Sequence, residues 1–359
     1  VRLAGLSRII VILYASVNTS NLFPFTEYWW VYAAFIVFIS LVLLLDLGVF
    51  HKKAHTVSFK EASIWSVIWV ALALIVNYLF YQHALHKLQG QAQLGLFSTA
   101  YAEATARRLG LEFFTGYVVE EILSIDNIFL FIIVFNYFNI PSLYYHRVLF
   151  YGILGAVVFR GIFISLGAWL VHYEWVMLVF GAFLIFTGVK IVLIPQQKLD
   201  PNKVPLAIKL LNKILPITNQ LHEQRFFVKL SGIWHATPLL AALVFIEATD
   251  VIFALDSVPA IFAITKEPLI VFLSNMLAVL GLRSLFFLLS AAVTAFYYLR
   301  HGVGLILIFI GSKMTILKEL FHDQLPITAS LAVIGVILAS CILLSMLKSR
   351  KNKFLQAQI

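Results

Sequence analysis

The 359-residue chain is 62% hydrophobic and only 12% charged, with a mean hydropathy of +0.95. Soluble domains carry about a quarter of their residues as charges, so this composition excludes an ordinary soluble protein and places most of the chain in lipid. The formal charge of +9 is spread over short segments between apolar runs and forms no basic domain for nucleic acid. A single cysteine, Cys341, excludes an internal disulfide and a cysteine metal cluster.

In chain order, residues 1 to 20 hold only a short apolar run, Ile9 to Tyr14, and read as an interfacial segment. A membrane span needs about 20 apolar residues. Nine candidates follow, near residues 28–50, 61–82, 113–138, 147–171, 175–194, 237–262, 269–298, 302–320 and 326–347. The predicted fold is an all-α polytopic membrane protein. Its segments are an N-terminal part with two peripheral spans and an outside loop (1–112), a first three-helix unit (113–195), a linker (196–236), a second three-helix unit (237–320), and a ninth span with a basic tail (321–359).

Cytoplasmic loops carry the excess of Lys and Arg. Segments 51–60, 139–147, 195–236, 299–301 and 348–359 hold fifteen, against seven in the N-terminal segment, residues 83–112, Lys266 and Lys318. The expected topology therefore has the N-terminus outside and the C-terminus in the cytoplasm, across a bacterial inner membrane. Within the linker, Lys209 and Lys213 lie one turn apart among Leu206, Leu210 and Ile214, the pattern of an amphipathic helix on the membrane surface. Docking of a protein partner is the alternative use of that helix.

The chain also resembles itself. Glu120–Asp126 (EEILSID) aligns with Asp250–Asp256 (DVIFALD), Gly155–Phe163 with Ala278–Phe286, and Gly181–Lys190 with Gly304–Lys313. Arg160 then superposes on Arg283 and Lys190 on Lys313, so matched charges recur at matched spacing. Each copy holds three spans and no span separates them, so the second copy enters the bilayer from the opposite face. This predicts an inverted 3+3 repeat, with a site near the midplane where the halves meet.

Seven acids fall inside the predicted spans: Asp46, Glu120, Glu121, Asp126, Glu247, Asp250 and Asp256. Charges there are costly and usually functional. Together they would repel one another unless protonated, paired or bound to a cation. Carboxylates with Asn127, Ser257 and Thr249 as neutral oxygens, and no His or Cys among them, suit hard divalent ions such as Mg, Ca or Mn. Arg160, Lys190, Arg283 and Lys313 are the candidate counter-charges or gating residues.

On regular helices Glu247 and Asp250 share a face, whereas Asp126 and Asp256 point about 120° away from the acids six positions earlier. Pro259 suggests a local break that would reconcile them. The expected chemistry is secondary transport and not an enzymatic reaction. No prosthetic group is called for, and the chain carries no P-loop pattern.

At these residues the sequence resembles the TerC/Alx family of integral membrane proteins, over about residues 28 to 348. The segments that carry the likeness are Glu120–Phe129, Phe180–Lys190, Glu247–Ala263 and Ser274–Arg283, with Asp46, His55 and Glu61–Trp69 in the first two spans. The resemblance implies export of Mn²⁺ from the cytoplasm, with metal handling at Asp126, Glu247, Asp250 and Asp256, and at Glu120. Glu121 is the position where relatives differ. Lipid, a divalent ion and protons are the expected partners. Export of Ca²⁺, or a scaffold delivering metal to secreted proteins, is the alternative.

Overall fold

The computed structural model describes residues 22–45, 57–194, 205–218, 220–290, 298–320 and 326–356. Asp46, His55 and the expected interfacial segment 1–20 lie outside the described residues. Eleven α-helices are described: α1 (Phe25–Leu45), α2 (Phe59–Gln93), α3 (Thr99–Tyr137), α4 (Tyr145–Leu170), α5 (Glu174–Leu193), α6 (Leu206–Ile214), α7 (Pro238–Phe262), α8 (Pro268–Ser290), α9 (Leu299–Met314), α10 (Ile316–Leu320) and α11 (Ile327–Gln356). Each of the nine predicted spans coincides with a helix. Among the described residues seven of these are long and apolar enough to cross a membrane; α3, with its internal acids, and α9, with 16 residues, fall outside that group. The protein is thus a multi-pass, all-α integral membrane protein.

The largest departure from expectation is the predicted outside loop over 83–112, which is almost entirely helical. Ala, Leu, Gln, Glu and Arg there are good helix formers. Ala84 and Leu88 of α2 are buried in one apolar cluster with Ala102, Ala106 and Leu109 of α3. The 35 residues of α2 and 39 of α3 make rods of about 50–60 Å, against a hydrocarbon core of about 30 Å, so this helical pair projects well beyond the lipid. Only the turn at Leu94–Ser98 is left, with Gly95 at φ +80 and Ser98 capping α3 by accepting the Tyr101 N–H.

The most enclosed span is α8, whose central window is 89% buried against 39% for α7. Packed against α2, α3 and α4, α8 brings Ser274, Asn275, Ala278 and Gly281 into the interior. The acidic α3 and α7 therefore share the centre with it. Helices α1, α2 and α11 turn large apolar side chains such as Trp29, Leu79 and Leu343 outward, as lipid contact requires. Helix α5 runs antiparallel along α9 through glycines: a Cβ on Gly181 would meet the Gly311 carbonyl, and a Cβ on Gly188 the Gly304 carbonyl. This is close small-residue packing.

The linker holds the expected amphipathic helix, α6. Ala207, Ile208 and Leu211 pack inward toward α7, while Leu206, Leu210 and Ile214 face outward. An unexpected antiparallel hairpin, β1 (Phe227–Leu230) and β2 (Ile233–Ala236), follows, turning on Ser231 and Gly232 at φ 50 and 87.

Candidate functional site

Both acidic helices are continuous through their acids, so the expected break at Asp256 is absent. Pro259 sits three residues from the end of α7, where its missing N–H costs only the bond to the Leu255 carbonyl. Regular helices then send the two acids of each repeat segment in different directions, and the acids sort into groups.

The inner group is Glu120 of α3, Arg160 of α4, Asp250 of α7 and Asn275 of α8, all at most 2% exposed. The Arg160 guanidinium forms an ion pair with Glu120 and reaches Asp250 Oδ1 at 3.4 Å. It also donates to Asn275 Oδ1 at 3.2 Å, and the Asn275 amide donates to Glu120 Oε2 at 3.0 Å. The Asn127 amide donates to Asp250 Oδ1 at 3.2 Å, so its nitrogen is spent on an acid. Asp250 Oδ2 is buried without a hydrogen bond.

The second group is Asp126 of α3 and Asp256 of α7, close enough to interact electrostatically. Asp126 Oδ1 lies 3.5 Å from Arg300 Nε, an ion-pair distance without hydrogen-bond geometry. Asp256 is hydrogen-bonded to Thr187 and keeps Oδ1 unpartnered. A small cavity of about 20 Å³ joins the groups, lined by Glu120, Asp126, Asn127, Arg160, Asp256 and Ser257 among others. The Ser257 hydroxyl lies buried beside it without a partner.

Glu247 stands one turn before Asp250 on the same face, with both carboxylate oxygens buried and unpartnered. It packs onto Gly155, where a Cβ would overlap the carboxylate, so α4 carries glycine to accommodate it. A second, smaller cavity of about 10 Å³ is lined by Gly152, Ile246, Asp250 and Arg283.

Three predicted placements change. Glu121 does not line the cavity: Tyr117 donates to its Oε1 at 2.8 Å, and the carboxylate packs beside Gly281, at the side of α3 facing α2 and α8. The Thr249 hydroxyl is spent on the Phe245 and Ile246 carbonyls. Asp126, Glu247, Asp250 and Asp256 do not converge on one point, and among the described residues no three acidic, His or Cys side chains meet as a formed metal centre. The helical angle explains this: the shared cavity lies between two sets.

The four candidate counter-charges also differ. Arg160 is central. Arg283 lies 3.0 Å from His146 Nε2 and borders the second cavity with Asp250. Lys190 is exposed within electrostatic range of Asp256, and Lys313 within range of Glu112. Sequence reasoning missed Asn275, Thr187 and Arg300. Asn275 was legible as an amide inside an apolar run, whereas Arg300 reads as a loop cation until the first turn of α9 carries it to Asp126.

Outside the spans, Glu267 in the α7–α8 connection is buried and accepts the N–H groups of Leu22 and Phe23 at 2.8 and 3.4 Å. Burial raises its pKa above the ordinary carboxylate value, and the two N–H donors only partly offset this.

The model of the integral membrane protein TerC family matches residues 105–353. An uncharacterized membrane protein of Myxococcus xanthus is 44% identical over 320 residues, 89% of this chain and 92% of that protein. Proteins named "Putative membrane-bound redox modulator Alx" from Salmonella typhi and Escherichia coli K12 are 39% and 38% identical, covering 91% and 90% of this chain and 97% and 96% of theirs. No solved structure matches. A family-model match over residues 105–353, with relatives 38–44% identical across most of the chain, means that this chain belongs to the integral membrane protein TerC family.

Proposed function

We propose that the protein is a secondary-active exporter of divalent metal cations, Mn²⁺ first among them, moving them out of the cytoplasm of a bacterium across its inner membrane in exchange for protons. One observation carries the reading. Asp126 and Asp256, contributed by different halves, flank one cavity, each with a buried oxygen that accepts no hydrogen bond, and with the Ser257 hydroxyl beside them. Carboxylate and hydroxyl oxygens suit a hard divalent ion. Buried carboxylates left without hydrogen bonds are unfavourable unless a cation or proton joins them.

An inverted 3+3 repeat is part of the same proposal. Under the alignment of the two copies α3 corresponds to α7, α4 to α8 and α5 to α9. Gly181 then corresponds to Gly304 and Gly188 to Gly311. The contacts Gly181–Gly311 and Gly188–Gly304 exchange with each other under this operation. The pairings α3 with α8 and α4 with α7 exchange likewise. Such reciprocity supports a pseudo-two-fold axis passing through the cavity. The topology we infer, with the N-terminus outside and the C-terminus cytoplasmic, follows the asymmetry of Lys and Arg.

In the proposed cycle Asp126, Asp256 and Ser257 receive the ion from the cytoplasm, with Asp250, Glu247 and Glu120 completing the charge as the halves rock. Export against an inside-negative potential is uphill by about 2.3 kcal/mol per charge for each 100 mV, and protons entering on the same carboxylates supply the drive. The pairing of Glu120 and Asp250 on Arg160 favours a second reading, a static scaffold that delivers metal to secreted proteins. Inverted membrane vesicles distinguish the two. An exporter accumulates Mn²⁺ in them under an imposed proton gradient, and competition by Ca²⁺ and Mg²⁺ ranks the ions; a scaffold gives no accumulation above vesicles lacking the protein.

A further inference from the structure

We propose that Arg160 is the resident cation of the emptied site, the charge that lets the unloaded protein return across its cycle. The inference rests on the exporter reading and assigns one residue a step within it. Arg160 is 1% exposed, projects from α4 into the acids of both halves, and lines the same cavity as Asp126 and Asp256. Its guanidinium touches Glu120 of the first half and Asp250 of the second, with Asn275 fixing its orientation. The pair with Glu120 lies within the first half, whereas the contact to Asp250 crosses to the second, so one guanidinium bridges acids of both halves.

The fit of Arg160 is also incomplete. Its Nε and Asp250 Oδ2 are buried without hydrogen bonds, and Asp250 Oδ1 is held at 3.4 Å, longer than a strong charge-assisted bond. A structural pair of this burial is normally saturated. An exchangeable one keeps oxygens open for the incoming ion.

Charge balance gives the role. When a divalent ion is bound, its own charge neutralises carboxylates of the cavity. When the ion has left, those carboxylates would face lipid and helix interior uncompensated unless protons or a side chain cover them, and the reorientation of the empty form would be blocked. Arg160 covers Glu120 and Asp250 in that form and gives way when metal approaches, because a guanidinium and a divalent ion repel at one carboxylate. The repeat-equivalent Arg283 borders the second cavity together with Asp250.

The test separates two modes of transport in vesicles holding the purified full chain. Net transport requires the empty form to return; exchange of Mn²⁺ for radioactive Mn²⁺ requires only the loaded form. Arg160→Gln should lose net export and retain Mn²⁺–Mn²⁺ exchange, and Arg160→Lys, which keeps the charge, should recover net export. Loss of both modes in a correctly folded Arg160→Gln, or retention of both, overturns the role. If Arg160→Gln does not fold, Arg160→His decides: a ratio of net export to exchange that falls relative to the unaltered protein as pH rises and the imidazole loses its charge supports the role, and a ratio that stays parallel to that of the unaltered protein overturns it. If the unaltered protein shows neither mode, the exporter reading itself falls and this inference with it.

Discussion

Gly188 of α5 and Gly304 of α9 meet backbone to backbone: a Cβ on Gly188 would stand 2.5 Å from the Gly304 carbonyl oxygen, and a Cβ on Gly304 2.8 Å from that of Gly188. Neither carbonyl can withdraw without bending a helix. Gly188→Ala should therefore destabilise the protein by about 1–3 kcal/mol, the usual cost of forcing atoms into a filled contact. Gly90→Ala, where nothing lies within 4 Å of the added methyl, should instead stabilise α2 by about 0.5–1 kcal/mol. Thermal unfolding in detergent compares the two. Equal effects would mean that the α5–α9 contact is looser than described.

The two acidic groups should respond differently to neutralisation. Glu120 is buried against Arg160 and Asn275, so Glu120→Ala should cost about 3–5 kcal/mol by leaving a buried charge under-compensated. Asp126 meets Arg300 without hydrogen-bond geometry, and Asp126→Asn should cost clearly less stability than Glu120→Ala. Denaturation of both variants in one detergent measures the contrast.

Gly155 is matched to the Glu247 carboxylate, and a methyl there has no room. Gly155→Ala should displace Glu247 from α4 and reduce metal transport while the chain still inserts and folds. The double variant Gly155→Ala with Glu247→Asp, which shortens the acid by one methylene, should recover part of the loss. Vesicle flux in the single and double variants reads this directly.

Glu267 predicts a pH dependence of stability. Its folded-state pKa is raised, chiefly by burial, so the folded protein holds this proton more tightly than the unfolded chain. Stability contributed by protonated Glu267 is present below the unfolded pKa and declines as pH rises through the raised folded value. Glu267→Gln should flatten that part of the stability curve, read as the difference in unfolding temperature between the two proteins across the acidic range. A difference that grows more favourable to the native residue with rising pH would reverse the sign and show that the Leu22 and Phe23 N–H groups dominate.

Much of this architecture was legible in the sequence, because apolar length alone marks a membrane helix and all nine predicted segments meet helices. The amphipathic α6 was equally readable from Lys209 and Lys213 among leucines. Hydropathy failed at 83–112, where polar residues need not end a helix: Ala84, Leu88, Ala102 and Ala106 carry a second, aqueous-side contact between α2 and α3. The hairpin at Ser231–Gly232 was missed although a Ser-Gly pair between alternating residues is a hairpin signal. Within the site, spacing at 100° per residue correctly separated Asp126 from Glu120 and Asp256 from Asp250, and the expectation of a break at Pro259 then wrongly merged them. Partners contributed from distant helices, Asn275 to Glu120 and Arg300 to Asp126, have no local signature and came only from the fold.

The central claim is that Asp126 and Asp256 hold a transported divalent ion between them. Purified protein in sealed proteoliposomes, with Mn²⁺ flux and internal pH followed together, tests it most directly. The account predicts Mn²⁺ movement with protons flowing the other way, abolished by Asp126→Asn and by Asp256→Asn in folded protein. Absence of protein-dependent Mn²⁺ flux, or flux that survives both substitutions, would contradict it.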